Sequence, residues 1–354
     1  MPDPKKGNSD GESGAGASQK PVRLKELAEH LDLSPAAVSI VLNRSPVADS
    51  IPQATQDRVF AAAKELGYRP DFLARSLRSR RTRSIGVLVP EISEGYAAGV
   101  SRGLEKHLLS EGYFYFIASH QSEPELLAEG LERLRERLVE GFILLAAQLK
   151  APPPLPTVVV SGHRALEGVT NVVLDQDHAA HHALSHLADL GHERIAFFRG
   201  PSNNADADDR WRAIVDAAAT LSLEVAPELS IQLEGLSYGE VFYREGYARA
   251  KELLARGQRF TALFAFDDIA AVGAMRAFFD AGLRVPEDIS IVGFDDIESA
   301  SFLNPSLTTV RQPLREMGEI AGRVLLERLG GGETPPQVVV KPELVVRDST
   351  CPAP

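Results

Sequence analysis

Between residues 22 and 68 the apolar positions recur with the period of a helix. Leu24, Leu27, Ala28 and Leu31 stand at i, i+3, i+4 and i+7, which is one helical face. Asp32 and Leu33 interrupt it, and Ser34 followed by Pro35 opens a second helix. A serine hydroxyl accepts from the free amides of a helix start, and proline fits the first turn, where no N–H is needed. Val38, Val41 and Leu42 are the inward stripe of that helix. Ser50, Ile51 and Pro52 open a third, with Val59, Ala62, Ala63 and Leu66 facing inward and Gly67 ending it. Two helices joined by a short turn and backed by a third form a helix-turn-helix pattern.

From Ser84 the rhythm changes. SIGVLVP, YFYFIAS, EGFILL, TVVVSG, NVVLDQ, RIAFFRG, ALFAFDD and ISIVGFDD are short, continuous apolar runs separated by helical stretches. Runs of this kind are strands buried on both faces, and their alternation with helices predicts an α/β body with doubly wound parallel sheets. The remaining 84–354 is long enough for two such lobes, and no repeat of solenoid period occurs in it.

The length of 354 residues suits two or three domains, and 44% apolar with 25% charged residues suits a chain that buries a core. No apolar run approaches the roughly 18 residues of a membrane span, so no membrane partner is expected. Residues 1–20 have lysines but no apolar stretch behind them, which reads as a disordered tail and not as a secretory signal. The single cysteine, Cys351, removes disulfide frameworks, cysteine-based zinc sites and cysteine nucleophiles together; a cytoplasmic protein is expected. The net charge of −11 is unevenly spread: residues 20–83 carry 12 basic and 7 acidic groups, and residues 84–354 carry 24 and 39. A small basic module on a large acidic body is the asymmetry expected when one short segment meets phosphates. Residues 69–83 (RPDFLARSLRSRRTR) form an arginine-rich linker.

The segments VRLKELAEHLDLSPAAVSIVLN and AAAKELGYRPDFLARSLRSRRT resemble the amino-terminal module of the lactose-repressor/galactose-repressor (LacI/GalR) family of bacterial regulators. The body resembles the same family through NVVLDQDHAAHHALSHLADLGHERIAFFRGP, DDRWRAIVDAA, ALFAFDDIAAVGAMRAFFDAGLRVPEDISIVGFDD and NPSLTTVRQP, in the family's order. The resemblance implies a helix-turn-helix DNA-binding domain at 21–68, a hinge helix at 69–83 and, at 84–354, a two-lobed body like periplasmic sugar-binding proteins. The first lobe would take about 84–162 and 311–330, the second about 163–310 and 331–348. There are departures: Asp32 replaces the usual turn glycine, Arg23 stands where a threonine cap is common, and Gln56 replaces a frequent arginine in the third helix.

By the same resemblance, Ser39 and Asn43 match phosphate-binding positions and Pro35, Ala36 and Ile40 match base-reading ones. The latter are apolar here, able to touch a thymine methyl but unable to make the paired hydrogen bonds that read guanine or adenine. In the hinge, Leu77 matches an apolar wedge entering the minor groove, flanked by Ala74, Arg75 and Arg78. Arg210 matches the arginine that clamps the effector, its planar fork suited to two adjacent hydroxyls or a carboxylate. Asp267 and Asp295 follow apolar strands, and ligands of parallel sheets bind at the strands' carboxyl ends. Each also suits a loop-capping role. Trp211 and Phe294 offer an apolar face to a sugar ring or belong to the core; the pattern fits both.

His178, His182 and His186 share a helical face, but no carboxylate or thiolate completes a metal site, and no metal is expected. Nor is a cofactor, since no P-loop or GxGxxG occurs. The expectation is a ligand-responsive transcription regulator, a repressor and not an enzyme. It would bind a pseudo-palindromic operator on double-stranded DNA as a homodimer. A small molecule between the lobes, a carbohydrate first and a nucleobase, nucleoside or phosphorylated sugar otherwise, would control the hinge. A solute receptor without a DNA role and a sugar-modifying enzyme are the competing classes.

Overall fold

The computed structural model describes residues 22–43, 45–68, 81–92, 95–202, 204, 206–234 and 240–354. The expected tail and the hinge residues Ala74, Arg75, Leu77 and Arg78 lie outside the described residues. The chain divides into two compact units, Met1–Arg81 and Thr82–Pro354.

In the first unit, α1 (Leu24–Leu31), α2 (Pro35–Leu42) and α3 (Gln53–Glu65) enclose Leu27, Ala28, Leu31, Val38, Val41, Val59, Ala62 and Ala63. The Ser34 hydroxyl accepts from the amide of Ala37 at 3.1 Å, so the second helix starts where the Ser-Pro pair places it. Asp32 takes the left-handed conformation (φ 53°, ψ 45°) that glycine would otherwise supply, so the turn is made without it. At the start of α1, Glu26 accepts from the Arg23 amide at 2.8 Å, offsetting the missing threonine cap. Gln56 donates to the carbonyls of Ala48 and Ile51, each at 2.9 Å, and so pins the loop before α3.

The second unit runs in chain order as β1 (Ser84–Val89), α4 (Tyr96–Ser110), β2 (Phe114–Ser119), α5 (Pro124–Glu136), β3 (Gly141–Leu145), β4 (Thr157–Val160) and β5 (Val169–Leu174). It continues through α6 (Gln176–Asp189), β6 (Ile195–Arg199), α7 (Ala207–Thr220), β7 (Ser230–Gln232), α8 (Glu240–Ala255), β8 (Ala262–Phe264), α9 (Asp268–Asp280), β9 (Ser290–Asp295) and β10 (Thr308–Arg311). Last come α10 (Leu314–Leu329), β11 (Gln337–Val340) and β12 (Glu343–Val345). Two six-stranded sheets result, ordered β11-β5-β4-β3-β1-β2 and β12-β10-β9-β8-β6-β7. All their pairings are parallel except that of β10 with β12. Central strands such as β1, β3, β5 and β9 are almost wholly buried, as their unbroken apolar runs require.

The lobe boundaries differ from the expected ones. NVVLDQ was expected in the second lobe, yet β5 lies between β4 and β11 in the first sheet. VVVKPELVVR splits: β11 extends the first sheet beside β5 and β12 extends the second beside β10. The chain therefore crosses between lobes three times, after β5, after β10 and after β11. Helix α10 returns to the first lobe, where it crosses α4 so closely that a Cβ on Gly103 or Gly318 would strike the facing backbone.

Candidate functional site

In the first unit, α2 leaves Pro35, Ala36 and Asn43 exposed and Ile40 half-buried. Ser39, expected beside them, is only 6% exposed. The Asn43 amide donates to its carbonyl at 2.7 Å and reaches its hydroxyl at 3.1 Å. Asn43, one turn further along, thus covers Ser39. The face offered to solvent is mainly apolar.

In the second unit, the carboxyl ends of β8 and β9 bring three of the expected residues together. Arg210, on α7, is only 4% exposed. Its Nη1 donates to the Phe266 carbonyl at 2.6 Å, its Nε to Gln176 Oε1 at 3.3 Å, and its Nη2 stands 3.8 Å from Asp206. The guanidinium lies 3.6 Å from the centre of the Phe294 ring and 4.5 Å from that of Phe266, a cation stacked between aromatic faces. Asp267 caps α9, accepting from the Ala270 amide at 2.7 Å. Burial pushes its carboxyl above the ordinary range, against the pull of that amide and of Arg210. Asp295 ends β9 with φ 112°, an uncommon backbone for a side-chain-bearing residue, and accepts from Gln312 Nε2 at 2.5 Å. Burial raises its carboxyl well above the ordinary range, with Arg210 opposing and Asp268 and Asp267 adding to the rise.

Of the two aromatic candidates, Phe294 lies in the core and Trp211 is half-buried and packs against it. The Phe294 ring is fully buried and its face is covered by Arg210. Trp211 follows Arg210 directly, so it points about 100° away around the helix. It packs edge-on against Phe197 at 5.9 Å, beneath Arg199 at 4.7 Å.

Other residues complete the site. Asp206 is buried one turn before Arg210, on the same helical face. His163, between β4 and β5 in the first lobe, binds Asp206 through Nε2 and Asp209 through Nδ1, the latter at 2.6 Å. Tyr96, at the start of α4, donates to Ser161 at 2.7 Å; burial raises its pKa, and so do the charges of Asp206 and Asp295 across the cleft. Asp206 was legible in principle as the i−4 neighbour of Arg210; His163 carries no local signal. Asp268, beside Asp267, accepts from Thr309 at 2.5 Å and from the Ile297 amide at 2.9 Å, and holds loops together. Of the aligned histidines, His186 bonds Thr350 at 2.9 Å, and among the described residues no group of three potential ligands is placed to hold a metal.

A helix-turn-helix unit and a two-lobed unit with a polar cleft now stand side by side in sequence, and both match family models. "Bacterial regulatory proteins, lacI family" covers residues 23–71 and "Periplasmic binding protein-like domain" covers 184–350. The HTH-type transcriptional repressor PurR of Haemophilus influenzae (strain PittEE) is 32% identical over 342 residues, which span 92% of this chain and 98% of the relative. The chain belongs to the LacI family of bacterial regulatory proteins. PurR of Aliivibrio fischeri (strain MJ11) is 31% identical, covering 92% of this chain and 97% of the relative. Among solved structures, a lac repressor dimer bound to operator and the anti-inducer ONPF has the same fold, with TM-score 0.82 at 24% identity over 94% of this chain and all of that one. The regulator CelR in its cellobiose complex has TM-score 0.65 at 30% identity, over 93% and 99%. This LacI-family chain is a ligand-responsive, DNA-binding regulator of transcription. Among its described residues no helix is long and apolar enough to cross a membrane.

Proposed function

We propose that the protein is a repressor that acts as a homodimer on a pseudo-palindromic operator, and that an effector, a carbohydrate, binds around Arg210 between the lobes. The observation that carries this reading is the Arg210 guanidinium. It is buried between two aromatic rings at the sheet ends, with Asp206, Asp267 and Asp295 close enough to feel its charge. Such a cluster sits where a ligand would touch both lobes and favour one degree of closure over another. The protein works by binding and not by turnover, and it acts in the cytoplasm, where the DNA is.

The dimer is supported by large apolar side chains left in water: Phe114 and Ile117 on the edge strand β2, and Phe279 and Phe302 in the second lobe. Pro35, Ala36, Ile40 and Asn43 would face the operator, with Leu77 and its neighbours Ala74, Arg75 and Arg78 in the minor groove at its centre. Titrating a labelled operator with protein, with and without candidate sugars, tests the proposal. Arg210→Ala should keep operator binding and lose the response to sugar. A mutant that responds like wild type would remove Arg210 from the effector site.

A further inference from the structure

The loop from β4 to β5 begins and ends in the first sheet, whereas α7 follows β6 of the second. His163, in that loop, therefore belongs to one lobe, and Asp206 and Asp209 belong to the other. Their contact is made by side chains across the gap and not by a crossing segment. Nε2 binds Asp206, and Nδ1 stands 2.6 Å from Asp209 Oδ2. A neutral imidazole has one N–H and one lone pair, so it donates to one carboxylate and turns its lone pair on the other; the imidazolium donates to both. Neighbouring links between the lobes are weaker. Gln148 Nε2 reaches the Ser202 carbonyl at 3.4 Å, and Arg102 and Glu298 stand 3.8 Å apart with both side chains well exposed. Ser161 also assists Asp206, but it has no charge to lose.

Charges face the ring from both lobes. Burial opposes its proton, and the bond to Asp206 with the charges of Asp206 and Asp209 outweighs burial and the repulsion of Arg210. Arg212, also on α7, stands 3.5 Å from Asp209 and draws on the same carboxylate. Asp208, Lys150 and Arg164 line a cavity of about 350 Å³ beside the ring, with Arg164 Nη1 held on the Leu149 carbonyl at 3.2 Å. Tyr96, bonded to Ser161, is kept neutral by burial. The ring is 20% exposed, so protons reach it.

We propose that His163 is a proton-operated latch: protonated, it holds the lobes in the arrangement seen here, and deprotonated, it releases them, so that pH is an input to the regulator beside its effector. The proposal rests on the reading that lobe closure controls the operator and adds a second signal to it. The sign follows from the geometry. As pH rises through the raised pKa of His163, one donor is lost and a lone pair meets a carboxylate, while Asp206, with its lowered pKa, stays charged. A difference of one unit in the His163 pKa between the two arrangements changes their ratio by up to about tenfold.

The test uses the full-length protein without effector, as wild type, His163→Gln and Asp209→Asn. Nuclear magnetic resonance of the histidine rings from pH 5.5 to 9 follows His163, identified as the signal missing in His163→Gln. Energy transfer from the single tryptophan, Trp211, to a dye on Glu136→Cys in the first lobe, in a Cys351→Ser background, follows the gap between the lobes. With His163 present the gap should widen with rising pH, centred on the His163 pKa. His163→Gln, which donates to one carboxylate only, should keep one gap throughout. Asp209→Asn keeps an acceptor but removes a charge, so the ring titration and the change in gap should move together to lower pH; a ring that only packs would not move them. This half-buried position also serves if His163→Gln does not fold. A duplex selected by the protein from random DNA should show a matching change in dissociation constant, up to about tenfold, lost in His163→Gln. A ring that titrates at its ordinary value of about 6.5 or below, a gap independent of pH, or the same pH dependence in His163→Gln would overturn the proposal. A gap that follows His163 while DNA affinity does not would leave the latch standing and overturn the coupling of closure to the operator.

Discussion

Nδ1 of His163, in the first lobe, lies 2.6 Å from Oδ2 of Asp209, in the second. The other ring nitrogen is bound to Asp206. Carboxylates only accept, so the ring bonds both of them when each nitrogen carries a proton, as the imidazolium. Burial works against that charge; the hydrogen bond to Asp206 and the charges of Asp206 and Asp209 outweigh it and hold the pKa above its ordinary value. Asp206, pushed up by burial, is drawn lower overall by His163 and Arg210. The lobes are thus joined by a charge that pH can remove.

The sign of the effect follows. A raised histidine pKa contributes stability that is fully present below the ordinary value of about 6.5 and is lost as pH rises through the raised one. The lowered Asp206 contributes stability above the ordinary carboxylate range and loses it toward acid. His163→Gln should cost about 1.5–3 kcal/mol near pH 6, the worth of a hydrogen bond to a charged group, and less with each step above neutrality. Denaturant unfolding of both proteins from pH 5.5 to 9 checks this. A constant difference across the range would mean that the ring contributes packing and not charge.

Arg210 and Trp211 are neighbours in sequence with different surroundings, and exchanging each should separate their roles. Arg210→Lys keeps a charge but loses the planar fork and the stacking between Phe266 and Phe294, so the effector response should fall by tenfold or more, about 1.4 kcal/mol. Trp211→Leu should lower stability by roughly 1–3 kcal/mol through lost packing on Phe197 and leave the response intact. A lost response in stably folded Trp211→Leu would return the tryptophan to the effector site.

The helices of the first unit could be read from the sequence because their signals are local: a Ser-Pro start, a stripe of apolar residues, a turn at Asp32. The strands were legible for the same reason, as unbroken apolar runs. Lobe membership was not, because β5 pairs with β11, which lies more than 160 residues later, and nothing in either run names its partner. Arg210 could be found by resemblance, whereas His163 is one histidine in a loop until β4 and α7 bring it to Asp206 and Asp209. Trp211 fits ligand or core by its pattern alone, and the 100° step between consecutive helical residues turns it from Arg210 toward Phe197, half-buried against the core.

Operator affinity should depend steeply on salt, since the basic segment 20–83 neutralises phosphates, while base selectivity from α2 should be modest. Pro35, Ala36 and Ile40 have no side-chain hydrogen bonds to give. Binding sites selected from random DNA should be dominated by their central bases. A strong guanine preference at the outer positions of each half-site, abolished by changes in α2, would contradict this.

From the sequence alone, Leu77 should meet its symmetry mate at the operator centre, where an easily unstacked pyrimidine–purine step is expected. Leu77→Ala removes the wedge and keeps the arginines, so specific affinity should fall at least tenfold, about 1.4 kcal/mol, with nonspecific binding nearly unchanged. Gel-shift titrations on operator and random duplex decide it. Equal losses on both would assign Leu77 to general support of the hinge.

The central claim is that occupation of the cleft and occupation of the operator are one linked equilibrium. Its most direct test measures the operator dissociation constant with and without a saturating cleft ligand, and the ligand dissociation constant with and without operator. Linkage requires the same factor in both directions, of about 5 to 150-fold for typical coupling. The account predicts equal factors in that range, lost in Arg210→Ala. A ligand that binds the cleft and leaves operator affinity unchanged would contradict it.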